Sequence, residues 1–236
     1  MDRYRLFLEN ETVTRALKND EEHELHGLEF EHIYSLPSKH YSNSIGLIIA
    51  LENSTHKDEA RNFGMLAFLS MVMGLEAFIN TYFLYIAGDG KVEKVRSIVR
   101  NRSGSMKDRT KELIKICGLE LLNHQEIILA IKYLSEKRNE LVHPKPIESS
   151  VELIGETVRK QEKLHIPPWP RFGKKETCLL MLDWCLFLPA SCAQACHADT
   201  RKFMLQWTGL PTYDPHSIIE DVSKEVRTAQ KDGVIT

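Results

Sequence analysis

Between Phe63 and Ile86 the chain is apolar almost all the way round a helical wheel. The spacing predicts one long helix over 56–87, with Gly88 as a left-handed cap. A helix with no polar face has to be covered on every side, so it lies at the centre of a bundle or crosses a membrane. Its length would just span a bilayer. Glu76 and Asn80 fall near its middle, however, where an ionisable group facing lipid is costly. That favours a central core helix, and the rest of the chain then has to supply the helices that surround it.

Several other stretches have the right period. Residues 123–142 carry apolar Ile127, Ile128, Ala130, Ile131, Leu134, Leu141 and Val142 mostly at three- and four-residue steps, with Asn123 as N-cap and Pro144 as the stop. A short helix is expected over 106–117 with Gly118 past its end, a basic helical piece over 91–100, and a loop over 101–105. Residues 174–207 read as the last large helix, bent at Pro189. Near the N-terminus, 5–17 has helical spacing at Leu6, Leu8, Val13 and Leu17, and 25–34 alternates like a short strand or irregular arm. Residues 45–51 are an apolar run of ambiguous period, followed by turn chemistry at Asn53-Ser54-Thr55. The expected fold is all-α, an antiparallel helical bundle with a small irregular or β arm near the N-terminus. Its expected divisions are an arm over 1–54 packing on the bundle, the bundle over 55–210, and a polar tail with one short helix over 211–236. Prolines at 144, 146, 167, 168 and 170 bracket an excursion that reads as a connector, a lid being the alternative.

Composition narrows the function classes. A chain of 236 residues, 42% of them hydrophobic, can bury one substantial core. A formal net charge of −2 excludes a bulk polyanion binder. Any RNA contact has to come from a local cluster, and Arg96, Arg100, Arg102, Lys107, Arg109, Lys111 and Lys115 form the most basic region. They read as a solvated face or as a track for a phosphate backbone. Five cysteines without small-domain spacing, and a start at 1–10 with no apolar core of a leader, fit a reducing cytoplasm. Cys178, Cys185, Cys192 and Cys196 share neighbouring tracks of one helix, followed by His197. One helix cannot close a tetrahedron of zinc ligands alone, so small buried thiols are expected there. No metal and no cofactor is expected. No phosphate loop of the Walker type is present, and Gly88-Asp89-Gly90 reads as a turn.

The chemistry-bearing stretch is Arg138-Asn139-Glu140-Leu141-Val142-His143, running into Pro144. Proline biases the residue before it toward extended backbone, so His143 stands at or just past the last helical turn. On a regular helix Arg138 and His143 point about 140° apart, while Asn139 and His143 share a face. The stretch combines a guanidinium suited to phosphate oxygens, a carboxamide that can orient, and an imidazole that can exchange protons near neutrality. Arg and His at a helix C-terminus also complement the helix dipole, which is the purely structural reading of the same residues.

This stretch resembles the motif of the HEPN superfamily, an Arg and a His separated by a short spacer, here of four residues with Asn directly after the Arg. Glu76-Ala77-Phe78-Ile79-Asn80, in the long apolar helix, looks like the HEPN helix that sets an acidic or amide residue against that Arg and His. The resemblance covers roughly residues 55 to 210. It implies a metal-independent endoribonuclease that cleaves RNA by attack of the 2′-hydroxyl, leaving 2′,3′-cyclic phosphate ends. His143 would be general acid or base, Arg138 would stabilise the phosphorane, and Asn139 would orient. Glu76 and Asn80 would support Arg138, and Lys145, Arg102, Lys107 and Arg109 would contact RNA. It further implies a homodimer with the motifs facing each other, and a toxin–antitoxin or antiphage role with an antitoxin or nucleotidyltransferase-type partner. The alternative reading is a HEPN-like module that binds nucleotide or protein without cleaving.

Overall fold

The computed structural model describes residues 4–9, 12–18, 21–23, 36–88, 104–143, 172–196, 199–211 and 213–231. The chain divides into two compact units, Met1–Ser35 and Leu36–Thr236. The first holds a three-stranded antiparallel meander of β1 (Tyr4–Glu9), β2 (Thr12–Lys18) and β3 (Glu21–His23). Phe7 pairs with Arg15 and Lys18 with Glu21, and the register slips between Phe7 and Leu8. The helix expected over 5–17 is thus replaced by two strands. Thr12-Val13-Thr14 explains why: β-branched residues lose rotamer freedom on a helix and fit a pleated surface. The arm expected over 25–34 lies outside the described residues.

Every described element of the second unit is helical. They are α1 (Leu36–Asn53), α2 (Lys57–Gly88), α3 (Met106–Ile116), a 3-10 turn at Leu122–His124, α4 (Gln125–Val142), α5 (Lys175–Cys196), α6 (Thr200–Thr208) and α7 (Pro215–Lys231). The division at 35/36 moves α1 out of the expected N-terminal arm. Tyr41, Ser44, Ile45, Ile48 and Leu51 form one buried stripe of α1, which packs along α2. Pro37 lies in the first turn, where a missing N–H costs nothing.

Helix α2 packs much of its length into the bundle but is not enclosed on every side as expected, since Leu66 and Met73 are 47% and 50% exposed. Phe68, Met71, Val72, Leu75, Phe78 and Ile79 are fully buried. Both α2 and α5 contain spans long and apolar enough to cross a membrane by length and composition, and 50% and 61% of those spans are buried within the bundle. Phe78 and Tyr82 of α2 meet Phe203 and Trp207 of α6 in an aromatic box with ring centres 5.3–6.3 Å apart. Gly64 is a point of closest approach, because a Cβ there would lie 1.7 Å from the carbonyl oxygen of Phe172.

The C-terminal half departs from the expected single helix over 174–207. Asp199 accepts a hydrogen bond from the Lys202 backbone N–H at 2.9 Å and starts α6 as a separate helix. Helix α5 runs through Pro189, which cannot donate to the carbonyl of Cys185 four residues back. The buried Tyr41 hydroxyl of α1 donates to that carbonyl at 3.2 Å instead. The polar tail contains α7, a 17-residue helix with Ile219 and Ser223 buried. Glu52 of α1 ties it down: Ser223 Oγ donates to its carboxylate at 2.6 Å, Arg227 lies at 2.8 Å, and Lys175 of α5 at 3.0 Å.

Candidate active site

Helix α4 delivers the motif. Its start differs from expectation, since Asn123 donates to Glu120 at 3.1 Å rather than capping, and the 3-10 turn leads into Gln125. Ile127, Ile128, Ile131 and Leu134 form the buried stripe that fixes its rotation. With that face inward, Arg138 points to α2 and Glu140 to solvent, where it pairs with Lys137 at 2.7 Å. His143 is the C-cap, with φ −129° and ψ 68°, and its backbone N–H donates to Asn139 O at 2.8 Å. The residue before Pro144 has left the α region, as sterics with the proline ring require. His143 and Asn139 are both solvent-exposed.

The centre of the site is Glu76. One carboxylate oxygen accepts from Arg138 Nη2 at 3.0 Å, and the other from Arg109 Nη2 at 3.3 Å. Arg109 also donates through Nη1 to Asn80 Oδ1. A single turn of α2 therefore gathers one guanidinium from α4 and another from α3. The side chains are only 19–32% exposed, so the ion pairs are partly shielded from water. Two guanidiniums against one carboxylate leave a formal charge of +1. Arg109 Nε is buried without a hydrogen-bond partner.

Of the expected residues, the structure thus joins Glu76 to Arg138, and assigns Asn80 to Arg109 rather than to Arg138. Arg109 was expected on an exposed basic track, but the ion pair with Glu76 takes it into the site. The signal was present in the spacing. Arg109 lies three residues after Met106 and four before Leu113, both buried, so it flanks the inward stripe of α3. Lys107 is half-buried on α3, while Lys111 and Lys115 follow the same helix and Lys115 pairs with Glu112 at 2.7 Å. Arg102 and Lys145 lie outside the described residues, as do Arg96, Arg100, the 91–100 piece and the proline-bracketed excursion.

On another side of α4, a cleft of about 620 Å³ opens against α5. Ile127, Ala130 and Tyr133 line one wall, Trp184 and Phe187 the other, and Tyr213 closes an end. Tyr133 and Trp184 meet edge to face at 6.3 Å. None of Glu76, Arg138 or His143 lines this cleft. Among the described residues no three His, Cys, Asp or Glu side chains converge to hold a metal ion. Cys178, Cys185 and Cys192 are fully buried along one face of α5. Burial pushes the Cys178 thiol up to about 12, with Glu176 adding to the shift, and raises the Cys185 thiol as well.

No protein-family model matches the chain, and no match was found among curated proteins or solved structures.

Proposed function

We propose that this chain is a metal-independent endoribonuclease of the HEPN type, acting as a homodimer and serving as a cytoplasmic toxin or defence effector. The observation that carries the reading is the bridge from Glu76 to Arg138, one turn before the helix end that bears His143. A polar side chain from the central helix, an Arg held by it, and a His on an adjacent capped terminus are the parts the HEPN resemblance asks for.

The chemistry follows from RNA itself. The 2′-hydroxyl is the nucleophile, and it attacks the neighbouring phosphorus as its proton passes to one imidazole. Negative charge builds on the phosphoryl oxygens, where the guanidinium of Arg138 stabilises it. The 5′-oxygen departs with a proton from a second imidazole, leaving a 2′,3′-cyclic phosphate. One chain supplies one His143, so His143 of the partner subunit completes the pair. Asn139, exposed beside His143, orients the ring or the scissile phosphate.

The test is incubation of labelled single-stranded RNA with the purified protein in EDTA, alongside His143→Ala, with analysis of the fragment ends. Cleavage by the unaltered chain alone, giving cyclic phosphate ends, supports the nuclease. Removing the imidazole is expected to slow cleavage by about 10²–10⁴-fold. A second reading also has an observation behind it: Glu76 already partly neutralises Arg138, as suits a HEPN-like module that binds nucleotide or protein without cutting. No cleavage of structured or unstructured RNA by folded dimer favours that module. Growth arrest on expression, relieved by His143→Ala, opposes it.

A further inference from the structure

Cys117 lies directly past the end of α3, and its backbone N–H donates to Leu113 O. Across the core, Cys192 occupies the buried face of α5, 75 residues further along the chain. Their Sγ atoms are 3.7 Å apart. The two sulfurs touch, although no sequence spacing pairs them. Cys117 is half-buried and Cys192 fully buried, so the pair lies nearer solvent on the Cys117 side. The third and fourth thiols differ in their surroundings: Cys178 contacts the carbonyl of Phe172 at 3.5 Å, and Cys185 is enclosed beneath Tyr41.

We propose that Cys117 and Cys192 form an oxidation site, a dithiol that a peroxide converts to a disulfide linking the end of α3 to α5. The Cys117 thiolate attacks a peroxide oxygen, the O–O bond breaks, and the departing oxygen leaves as water after taking the thiol proton. Cys117 is then a sulfenic acid. Cys192 sulfur attacks Cys117 sulfur, the S–O bond breaks, and a second water departs. Two thiols lose two hydrogens and one hydrogen peroxide becomes two waters. The sulfurs have to close by roughly 1.7 Å to reach disulfide bond length. A short non-helical connection follows Cys117, with Gly118 in the left-handed region at φ 72°, and closing the sulfurs would draw on adjustment there. A small dithiol reverses the step by exchange. The bridge would tie the helix that supplies Arg109 to α5, and its formation does not depend on the nuclease reading.

The experiment treats the full chain, reduced and freed of reductant, with stoichiometric hydrogen peroxide, then blocks remaining thiols and maps disulfides by mass spectrometry. Trypsin places Cys117 in fragment 116–132, and the other four cysteines together in 176–201. Cys196→Ser and chymotryptic cleavage after Trp184 and Phe187 isolate Cys192 as the one acceptor in its fragment. The expected product is a 116–132 fragment cross-linked to the Cys192 fragment, lost on adding dithiothreitol and absent from Cys117→Ser. The oxidised chain should melt about 5–10 °C higher than the reduced one, a shift that Cys117→Ser abolishes. Linkage of Cys117 to any other cysteine in the unaltered chain overturns the proposal. So does conversion of Cys117 to sulfinic acid with no bridge, or no reaction while the chain remains folded.

Discussion

At the residue scale, Glu76 holds two guanidiniums from different helices on one carboxylate. Glu76→Gln keeps the shape and removes the charge. Released from the counter-charge, Arg138 loses its carboxylate anchor while Arg109 keeps Asn80, and RNA cleavage is expected to fall at least about 10-fold. Partly exposed pairs contribute little to folding, so stability should change by only about 1 kcal/mol. Cleavage assays beside thermal melts separate the two effects, and a large loss of stability with unchanged specific activity would reassign Glu76 to a structural role. Tyr41 makes the opposite prediction. Its hydroxyl satisfies the Cys185 carbonyl that Pro189 leaves without a helical donor. Tyr41→Phe orphans a buried acceptor and should cost about 1–3 kcal/mol, read from denaturant midpoints, with little direct effect on the site.

At the element scale, the close approach of α2 to the segment before α5 and the clamp on α7 have separate signatures. Gly64→Ala sets a methyl against the Phe172 carbonyl at a distance no packing adjustment absorbs, and 2.8 Å from Leu51 Cδ1. The backbones must separate, at a cost of about 3 kcal/mol or more, visible as a lowered melting temperature. Glu52 reports on α7 through pH. Burial pushes its carboxyl upward, but Ser223, Lys175 and Arg227 together outweigh burial and hold it below its ordinary 4.5. A carboxyl depressed in the fold stabilises above the unfolded value, and that stability is lost as pH falls through the folded one. Melting temperature should therefore drop as acid is added below about pH 4.5, and Glu52→Gln should flatten that limb. An unchanged acid limb in the variant would remove Glu52 from this role.

At the scale of the whole molecule, the proposed chemistry needs two imidazoles and so two chains. Mixed dimers of unaltered and His143→Ala protomers test this. If both copies of His143 act in one cleavage event, equal mixing should leave about one quarter of the activity. If each chain acts alone, about half survives. Much of the helical unit was legible beforehand. The apolar run marks α2 as a long core helix, although Leu66 and Met73 on one side stay exposed, and Arg138-Asn139 with Pro144 sets the motif at a helix end. The exchange of α1 from arm to bundle was not legible, since an 18-residue helix with Pro37, Gly46 and mixed spacing has a weak period by itself. Nor were the two strands read as a helix over 5–17, where apolar residues satisfy either period.

The local sequence by itself determined where several helices end, because capping and proline effects act within a few residues of one another. Gly118 and Pro144 did this without outside help. Only the tertiary structure decided which side chains meet. Arg109 with Glu76 lie 33 residues apart, Cys117 with Cys192 75, and Glu52 with Arg227 175. Such pairings depend on how the helices rotate and cross once their apolar stripes are buried. That geometry is set by packing the whole core at once, and no window of neighbouring residues contains it.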